Sequence, residues 1–321
     1  MMRKLVRKLM MLDPGYRKAF FLEQKLDRMC DELKAGCGEL KAAIELAGKK
    51  NGIDAVMEAI DSAKVALFRN DIRCRWQVLD ALDNVLYPPS TPVKCLVCGH
   101  EAPKSTYETK VSECIFGGGR LERFICPECG CIFGPLKMMA LSQEQLGEEY
   151  KQHYSVYCEG DSKWKERLSF EALNPTKNGR YLNYGAGIWS KTTIELRQEG
   201  WDVWDYEPNA SSANYDWLVS SPGQLASMKF DGIFSNDVLE HFKDPINELK
   251  IMKSLLSLQG KMAHCTGCYE YAYEFTRFHY VFFTGRSLEY IAKKLGMDAA
   301  LGERIRDGEP ARICIFNQSQ K

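Results

Sequence analysis

Apolar residues recur along the first 88 positions at the three- and four-residue steps of a helix. Met2, Leu5, Val6, Leu9 and Leu12 share one face, with Arg3, Lys4, Arg7 and Lys8 on the other. After Pro14, Leu22, Leu26, Met29, Leu33, Leu40 and Ala43 continue these steps, with one gap at Gly36, as a heptad seam suited to a partner helix. Gly36, Gly38 and the small residues Ala43 and Ala47 weaken it. The pattern predicts further helices over Ile53–Phe68 and from Ile72 to Leu86, and Pro88-Pro89-Ser90-Thr91-Pro92 then ends the helical region as a stiff linker. An apolar seam has to pack, against the later helices or against a second chain. The expectation is a homo-oligomer held through the helices of residues 1–88. The basic amphipathic stretch 1–12 also suits a weak, salt-sensitive contact with an anionic membrane face, with docking on the protein's own surface as the alternative.

The period changes from about Arg180. Short apolar runs at Arg180–Tyr184, Trp201–Tyr206, Trp217–Val219, Phe230–Ser235, from Gly260 to His264, and at Ala311–Phe316 read as strands. Helical patterns at Ser190–Glu199, Pro245–Leu256 and Ser287–Leu295 lie between them, and Asp307-Gly308 reads as a turn. This alternation predicts an α/β domain with a largely parallel, Rossmann-like sheet and helices on both faces. It occupies residues 141–321.

Between the two regions stand Cys95-x-x-Cys98-Gly99 and Cys126-x-x-Cys129-Gly130. Each pair sets two thiolates on one side of a tetrahedron while the glycine lets the backbone turn under the metal. Zinc accepts four sulfurs because its filled d shell imposes no other geometry. Residues 93–140 are therefore read as a zinc ribbon whose structural site is closed by Cys95, Cys98, Cys126 and Cys129. His100, Cys114 and Cys131 are bystanders in this reading. The later pair Cys265-Thr266-Gly267-Cys268 is read as strand-end packing.

Composition narrows the function. The chain has 321 residues with 43 Lys+Arg and 43 Asp+Glu. Zero formal charge argues against a protein held on nucleic acid by bulk electrostatics. No apolar run approaches a membrane span or an export signal, so the thirteen cysteines are read as belonging to a cytoplasmic protein, peripheral at the inner membrane face at most.

The candidate chemistry lies at the carboxyl ends of the strands. Gly185-Ala186-Gly187 follows the first strand, where glycines let backbone approach a ligand. Glu207, at the end of the second strand, stands where an acid can accept two ribose hydroxyls. Ser190 replaces the third glycine of a dinucleotide fingerprint, which disfavours a nicotinamide cofactor. Taken alone, Gly-x-Gly also fits a tight structural turn.

The surrounding residues go further. Tyr181-Leu182-Asn183-Tyr184-Gly185-Ala186-Gly187, the stretch Gly200–Asn209, and Phe230–Pro245 with its Leu239-Glu240-His241 and Asp244-Pro245 resemble the motifs of class I S-adenosylmethionine-dependent methyltransferases. His279–Leu288 is similar to the stretch before that family's late helix. A zinc ribbon ahead of such a domain resembles the arrangement in methyltransferases of sugar and surface-glycan pathways. The resemblance implies a seven-stranded sheet and S-adenosylmethionine held by Asn183, Gly185, Gly187, Glu207, Asn236 and Asp237. Two positions depart from it. Asn183 stands where the family usually has Asp, and Ser220-Ser221 where an acid often follows the third strand.

Methyl transfer to a hydroxyl needs a base with a pKa near neutrality, and histidine is the default. Of the five histidines, His241 follows the fourth strand and His279 the fifth. The reading takes His279 as base and His241 as a positioning group, with Glu240 and Tyr280 behind them; a structural role for either histidine fits the sequence equally. The aromatics Tyr271, Tyr273, Phe275, Phe278, Tyr280, Phe282 and Phe283 fit either a wall for a sugar ring or plain packing. Gly147–Tyr157 fits either a closing segment or a connector. Three functions follow: a methyltransferase acting on a sugar hydroxyl of a glycan or small molecule, an RNA methyltransferase gripping its substrate with the ribbon, and a non-catalytic scaffold. The first is favoured, because residues 93–140 carry no basic run.

Overall fold

A computed structural model of the chain describes residues 38, 41, 42, 45, 53–157, 163–187, 191–208, 210, 215–306 and 308–319. The amphipathic stretch 1–12 and the seam positions Leu22, Leu26, Met29, Leu33, Leu40 and Ala43 lie outside them, as does Ser190. The described residues divide between two compact units.

The first unit holds the described part of Met1–Thr91, with Val111–Leu121 and Ala140–Cys158. Its main element is α1 (Ile53–Leu86), one 34-residue helix where the sequence reading expects two. No glycine or proline separates Phe68 from Ile72, and Asp71 pairs with Arg75 one turn on at 3.5 Å. Ile72 and Trp76 are buried on the inner face. Helix α2 (Gln143–Tyr154) starts at a capping box, in which Ser142 Oγ accepts from Gln145 N at 3.1 Å and Gln145 Oε1 accepts from Ser142 N at 2.8 Å. Trp76 Nε1 donates to Glu149 at 3.2 Å, and Arg75 pairs with the same carboxylate. The His153 ring lies between those of Phe116 and Tyr157, at 4.9 and 5.0 Å. Glu149, His153 and Tyr157 are thus spent on packing inside this unit.

The second unit comprises Pro92–Lys110, Glu122–Met139 and Glu159–Lys321. Strands β1 (Pro92–Lys94) and β2 (Glu101–Pro103) pair antiparallel across the first cysteine knuckle. Strands β3 (Glu108–Glu113) and β4 (Arg120–Ile125) each have residues in both units, and β5 (Ile132–Phe133) follows in the second. Helix α3 (Lys163–Ala172), absent from the sequence reading, precedes β6 (Arg180–Tyr184). Then come α4 (Thr192–Gln198), β7 (Asp202–Tyr206), β8 (Leu218–Val219), α5 (Pro222–Ala226), β9 (Phe230–Asn236), α6 (Pro245–Ser254), β10 (Leu256–Cys265), β11 (Val281–Phe282), α7 (Ser287–Leu295), β12 (Met297–Arg306) and β13 (Glu309–Gln318).

Seven strands form the main sheet in the order β12-β13-β10-β9-β6-β7-β8. Pairs β6–β7, β7–β8, β6–β9 and β9–β10 are parallel, while β13 is antiparallel to both β10 and β12. Neighbouring residues of a strand bury on opposite faces. Tyr181, Phe234, Ala263 and Ile313 join Leu168 and Phe170 of α3, whereas Leu182, Ile233, Met262 and Phe316 join Leu249 of α6 and Ile291 of α7. Strand β12 escapes the sequence reading because Asp298, Ala299, Ala300 and Gly302 carry little strand preference; full pairing with β13, from Met297–Gln318 to Arg306–Glu309, supplies what propensity lacks. Strand order turns around between β6 and β9, which opens a crevice at their carboxyl ends.

Candidate active site

The loop after β6 turns at Gly185 and Gly187, both with positive φ (73° and 67°). A Cβ on Gly185 would come within 2.9 Å of Val238 Cγ1, so this glycine is also required by the segment after β9 that packs on it. Gly185 N donates to Tyr206 O at 2.8 Å, tying the loop to the end of β7. Glu207 reaches the same loop: Gly187 N donates to its Oε2 at 3.1 Å. Gly185, Gly187 and Glu207 are therefore brought together around the crevice.

On the β9 side, Asn236 Nδ2 donates to Asp237 Oδ2 at 2.9 Å, while buried Asn236 Oδ1 has no partner. Asp237 has a positive φ of 49° and is anchored by its N–H to Cys265 O at 2.8 Å. Asn183 is buried beside Asp205, and its side chain hydrogen-bonds that carboxyl. Burial pushes the Asp205 carboxyl up to about 7, against the bond from the Thr193 hydroxyl that holds it down. Ser221 caps α5, accepting from Gln224 N at 3.5 Å, so its hydroxyl serves the helix start. An unpartnered polar atom on Asn236, a backbone cradle at Gly185 and an acid at its rim suit an adenosyl ligand with an amino-acid tail.

His241 and His279 meet beyond Asp237, with ring centroids 5.0 Å apart. His241 Nδ1 lies 3.1 Å from Phe278 O and His279 Nδ1 3.1 Å from Tyr273 O. A carbonyl only accepts, so both rings carry hydrogen on Nδ1. The backbone of Asp237 also engages His241. Burial brings His241 down to about 4, and burial, then His241 and Arg123, hold His279 well below its ordinary value. Both imidazoles are neutral at pH 7, but they lie below the near-neutral value the sequence reading expects of a base, because burial disfavours the charged ring. Glu240 is fully buried, which raises its carboxyl to about 8. Tyr280 is fully buried, and its N–H donates to Glu240 O at 2.8 Å.

Most of the aromatic run is core. Tyr269, Phe278, Tyr280, Phe282 and Phe283 are buried, and Tyr273 is the exposed ring of the segment. Lys165, on α3, faces this ring and Asp237. Burial pulls its ammonium down, but Asp237 and Tyr273 outweigh burial and leave it raised. Sequence reading missed Lys165 although Gly160-Asp161-Ser162 ahead of α3 is a helix-start signal. A groove of about 600 Å³ beside α3 and α4, lined by Lys163, Trp164, Arg167, Glu171, Thr192 and Glu195, includes none of the predicted site residues.

The four knuckle cysteines converge. Cys95 Sγ is 3.6 Å from Cys129 Sγ, and Cys98 Sγ is 3.4 Å from Cys126 Sγ. Sulfurs around a tetrahedral zinc are about 3.8 Å apart for bonds of about 2.3 Å, close to these spacings. Backbone N–H groups of Val97 and His100 point at Cys95 and Cys98 sulfurs, both at 3.4 Å, as anionic sulfur requires. The donor set fits zinc. The knuckles are also tied to α7 and the segment before it: Arg286 N donates to Cys129 O at 2.7 Å, Thr284 Oγ1 to Gly130 O at 2.6 Å, and Lys294 Nζ, on α7, to Val97 O at 2.7 Å.

Residues 158–299 match a family model described as a methyltransferase domain. No curated protein matches the chain. Among solved structures, magnesium protoporphyrin IX methyltransferase from Synechocystis PCC 6803 with bound SAM is 15% identical, covering 56% of this chain and 99% of that one at a TM-score of 0.38. The 1,6-didemethyltoxoflavin-N1-methyltransferase of Burkholderia thailandensis is 14% identical, covering 63% and 96% at 0.43. A SAM-dependent methyltransferase from Archaeoglobus fulgidus is 14% identical, covering 55% and 100% at 0.40. The match to the methyltransferase domain model takes in the crevice and its glycine loop.

Proposed function

We propose that the enzyme methylates a hydroxyl of a small-molecule or glycan acceptor, a sugar hydroxyl first among them, with His279 as general base. The observation that carries this reading is the His241–His279 pair, two neutral imidazoles at the carboxyl end of β9, on the side of the crevice that Asp237 borders. S-adenosylmethionine, when bound, supplies a methyl group already activated on a sulfonium. Gly185 and Gly187 would cradle it, Glu207 would accept the ribose hydroxyls, and Asn183, Asn236 and Asp237 would meet its remaining polar groups.

With Nδ1–H committed to Tyr273 O, His279 has its lone pair on Nε2. That nitrogen takes the acceptor's hydroxyl proton as its oxygen attacks the methyl carbon in line with the departing sulfur. The donor would supply the methyl group and be left as S-adenosylhomocysteine, with the acceptor's proton held on His279 Nε2. His241, engaged by Phe278 O and the backbone of Asp237, is a positioning residue rather than a second base. Exposed Tyr273 offers one ring face to a sugar. The four knuckle cysteines hold a structural zinc.

Mass spectrometry of a sugar-nucleotide and glycan extract, incubated with the enzyme and methyl-labelled donor, tests the acceptor class. Label on a sugar oxygen is expected. Label on nitrogen or carbon, or on RNA, would overturn it.

A further inference from the structure

Glu240, Cys268 and His279 come from three places in the chain: the short turn after β9, the turn after β10 and the segment before β11. A carboxylate oxygen of Glu240, the Cys268 sulfur and a ring nitrogen of His279 all lie within 4.8 Å of one another. Cys268 Sγ is 3.4 Å from His279 Nδ1. Glu240 and Cys268 are fully buried. Glu240 Oε1 takes the Thr266 hydroxyl at 2.6 Å, but Oε2 is buried with no hydrogen-bond partner. A buried carboxyl oxygen without a partner is costly, and a cation that displaced the acid's proton and sat between it, the sulfur and the ring nitrogen would remove that cost.

We infer that Glu240, Cys268 and His279 form a second metal site, selective for zinc or a similarly soft divalent cation. One sulfur, one imidazole nitrogen and one carboxylate leave the fourth tetrahedral position open, a set that zinc accepts and magnesium does not. The Thr266 hydroxyl supplies the outer support, since it donates to Glu240 and accepts from Cys268 N at 3.0 Å. A nucleophilic role for the thiol is disfavoured because no acceptor reaches a sulfur so deeply covered. Arg123 faces the cluster from β4, its guanidinium donating to Glu274 O and Thr276 O, both at 2.8 Å. Its charge opposes a cation, so this site binds metal more weakly than the four thiolates and yields it first to a chelator.

The consequence for catalysis rests on His279 being the base. Metal on Nδ1 moves the ring hydrogen to Nε2, which then cannot accept a proton from the acceptor. The metal-loaded enzyme is accordingly off, and the open site on.

The test adds cobalt(II) to full-length enzyme treated with a mild chelator, reading the near-ultraviolet thiolate-to-cobalt band alongside release of S-adenosylhomocysteine. Wild type is expected to take up one equivalent more than Cys268→Ser and to lose turnover as it fills. Cys268→Ser should keep its untreated turnover and resist cobalt. Equal uptake and equal spectra in the two proteins overturn the site. Uptake without loss of turnover leaves the site standing and overturns the base role of His279. Should Cys268→Ser not fold, Glu240→Gln decides: weaker uptake with the band retained supports the site, and unchanged uptake rejects it.

Discussion

The His241 and His279 rings stand edge to face, 5.0 Å between centroids and 74° between planes, each with Nδ1 turned to a backbone carbonyl. A shared environment that excludes water keeps both uncharged. A positive ring at this distance would raise the cost of protonating the other, so a first proton enters the pair only well on the acid side of neutrality. His279→Ala is expected to lower kcat by roughly a hundred- to ten-thousand-fold while S-adenosylmethionine binding by calorimetry stays unchanged. His279 lies well below its ordinary value, so kcat should remain level from pH 8 down past 6.5 and fall only on the acid side of that point. A limb near 6.5 would instead mark an exposed histidine.

Glu207 accepts from Gly187 N in the open loop and is proposed to exchange that bond for the ribose hydroxyls. Glu207→Ala should weaken S-adenosylmethionine by about 2–4 kcal/mol, two charge-assisted bonds, or roughly thirty- to a thousand-fold in Kd. Titration calorimetry reads this directly. An unchanged Kd would move the ribose away from the end of β7.

Where sequence and structure agree, the signal was local. The strands from Arg180 to His264 carry dense apolar runs bounded by glycines, and the Cys-x-x-Cys pairs declare themselves by spacing alone. The fold's α/β sheet was legible for those reasons. Strand β12 and helix α3 were not, because β12 is held by pairing with β13 and α3 by packing Leu168 and Phe170 onto the sheet. The predicted break in α1 failed because Asp71 and Arg75 bridge it. At the site, His241 and His279 could be named but not joined: His241 lies 37 positions from Phe278, the neighbour of His279 whose carbonyl faces the His241 Nδ1. Cys268 was read as packing, and its meeting with Glu240 and His279 depends on three turns that no motif encodes.

Zinc should be present at one equivalent in protein purified with a mild chelator, by metal analysis. Cys126→Ser should lose it and also lower the thermal midpoint of the whole second unit, because the Cys129 and Gly130 carbonyls hold Arg286 and Thr284. Loss of metal with an unchanged midpoint would show that the knuckles fold without it.

Asp205 gives a stability prediction of defined sign. Burial raises its folded carboxyl to about 7 from 3.8, so between those values the folded state binds more protons than the unfolded chain. Stability from this group is fully present below the unfolded value and is lost as pH rises toward 7, by roughly 4 kcal/mol in all. Asp205→Asn keeps an acceptor for Thr193 and cannot ionise. Urea unfolding at pH 5 and pH 8 should therefore show a smaller loss of stability with rising pH in the variant than in wild type. Equal losses would place the titration elsewhere.

Self-association is the last expectation, and α1 adds to it. Met57, Ile60, Leu67, Val78 and Val85 are exposed on this helix, at positions a heptad seam would use, interrupted by Lys64 and Asp71. Two charged residues in the seam weaken it without abolishing its apolar area, which favours pairing in register over indiscriminate sticking. Light scattering of the full chain should give a multiple of the 36.6 kDa protomer mass. Deleting residues 1–50 is expected to reduce that mass, as is the pair Leu67→Lys and Val78→Lys, with methyl transfer to a soluble acceptor largely retained in both. A full chain already at the protomer mass rejects the interface outright. A mass that survives both changes moves it off the N-terminal helices.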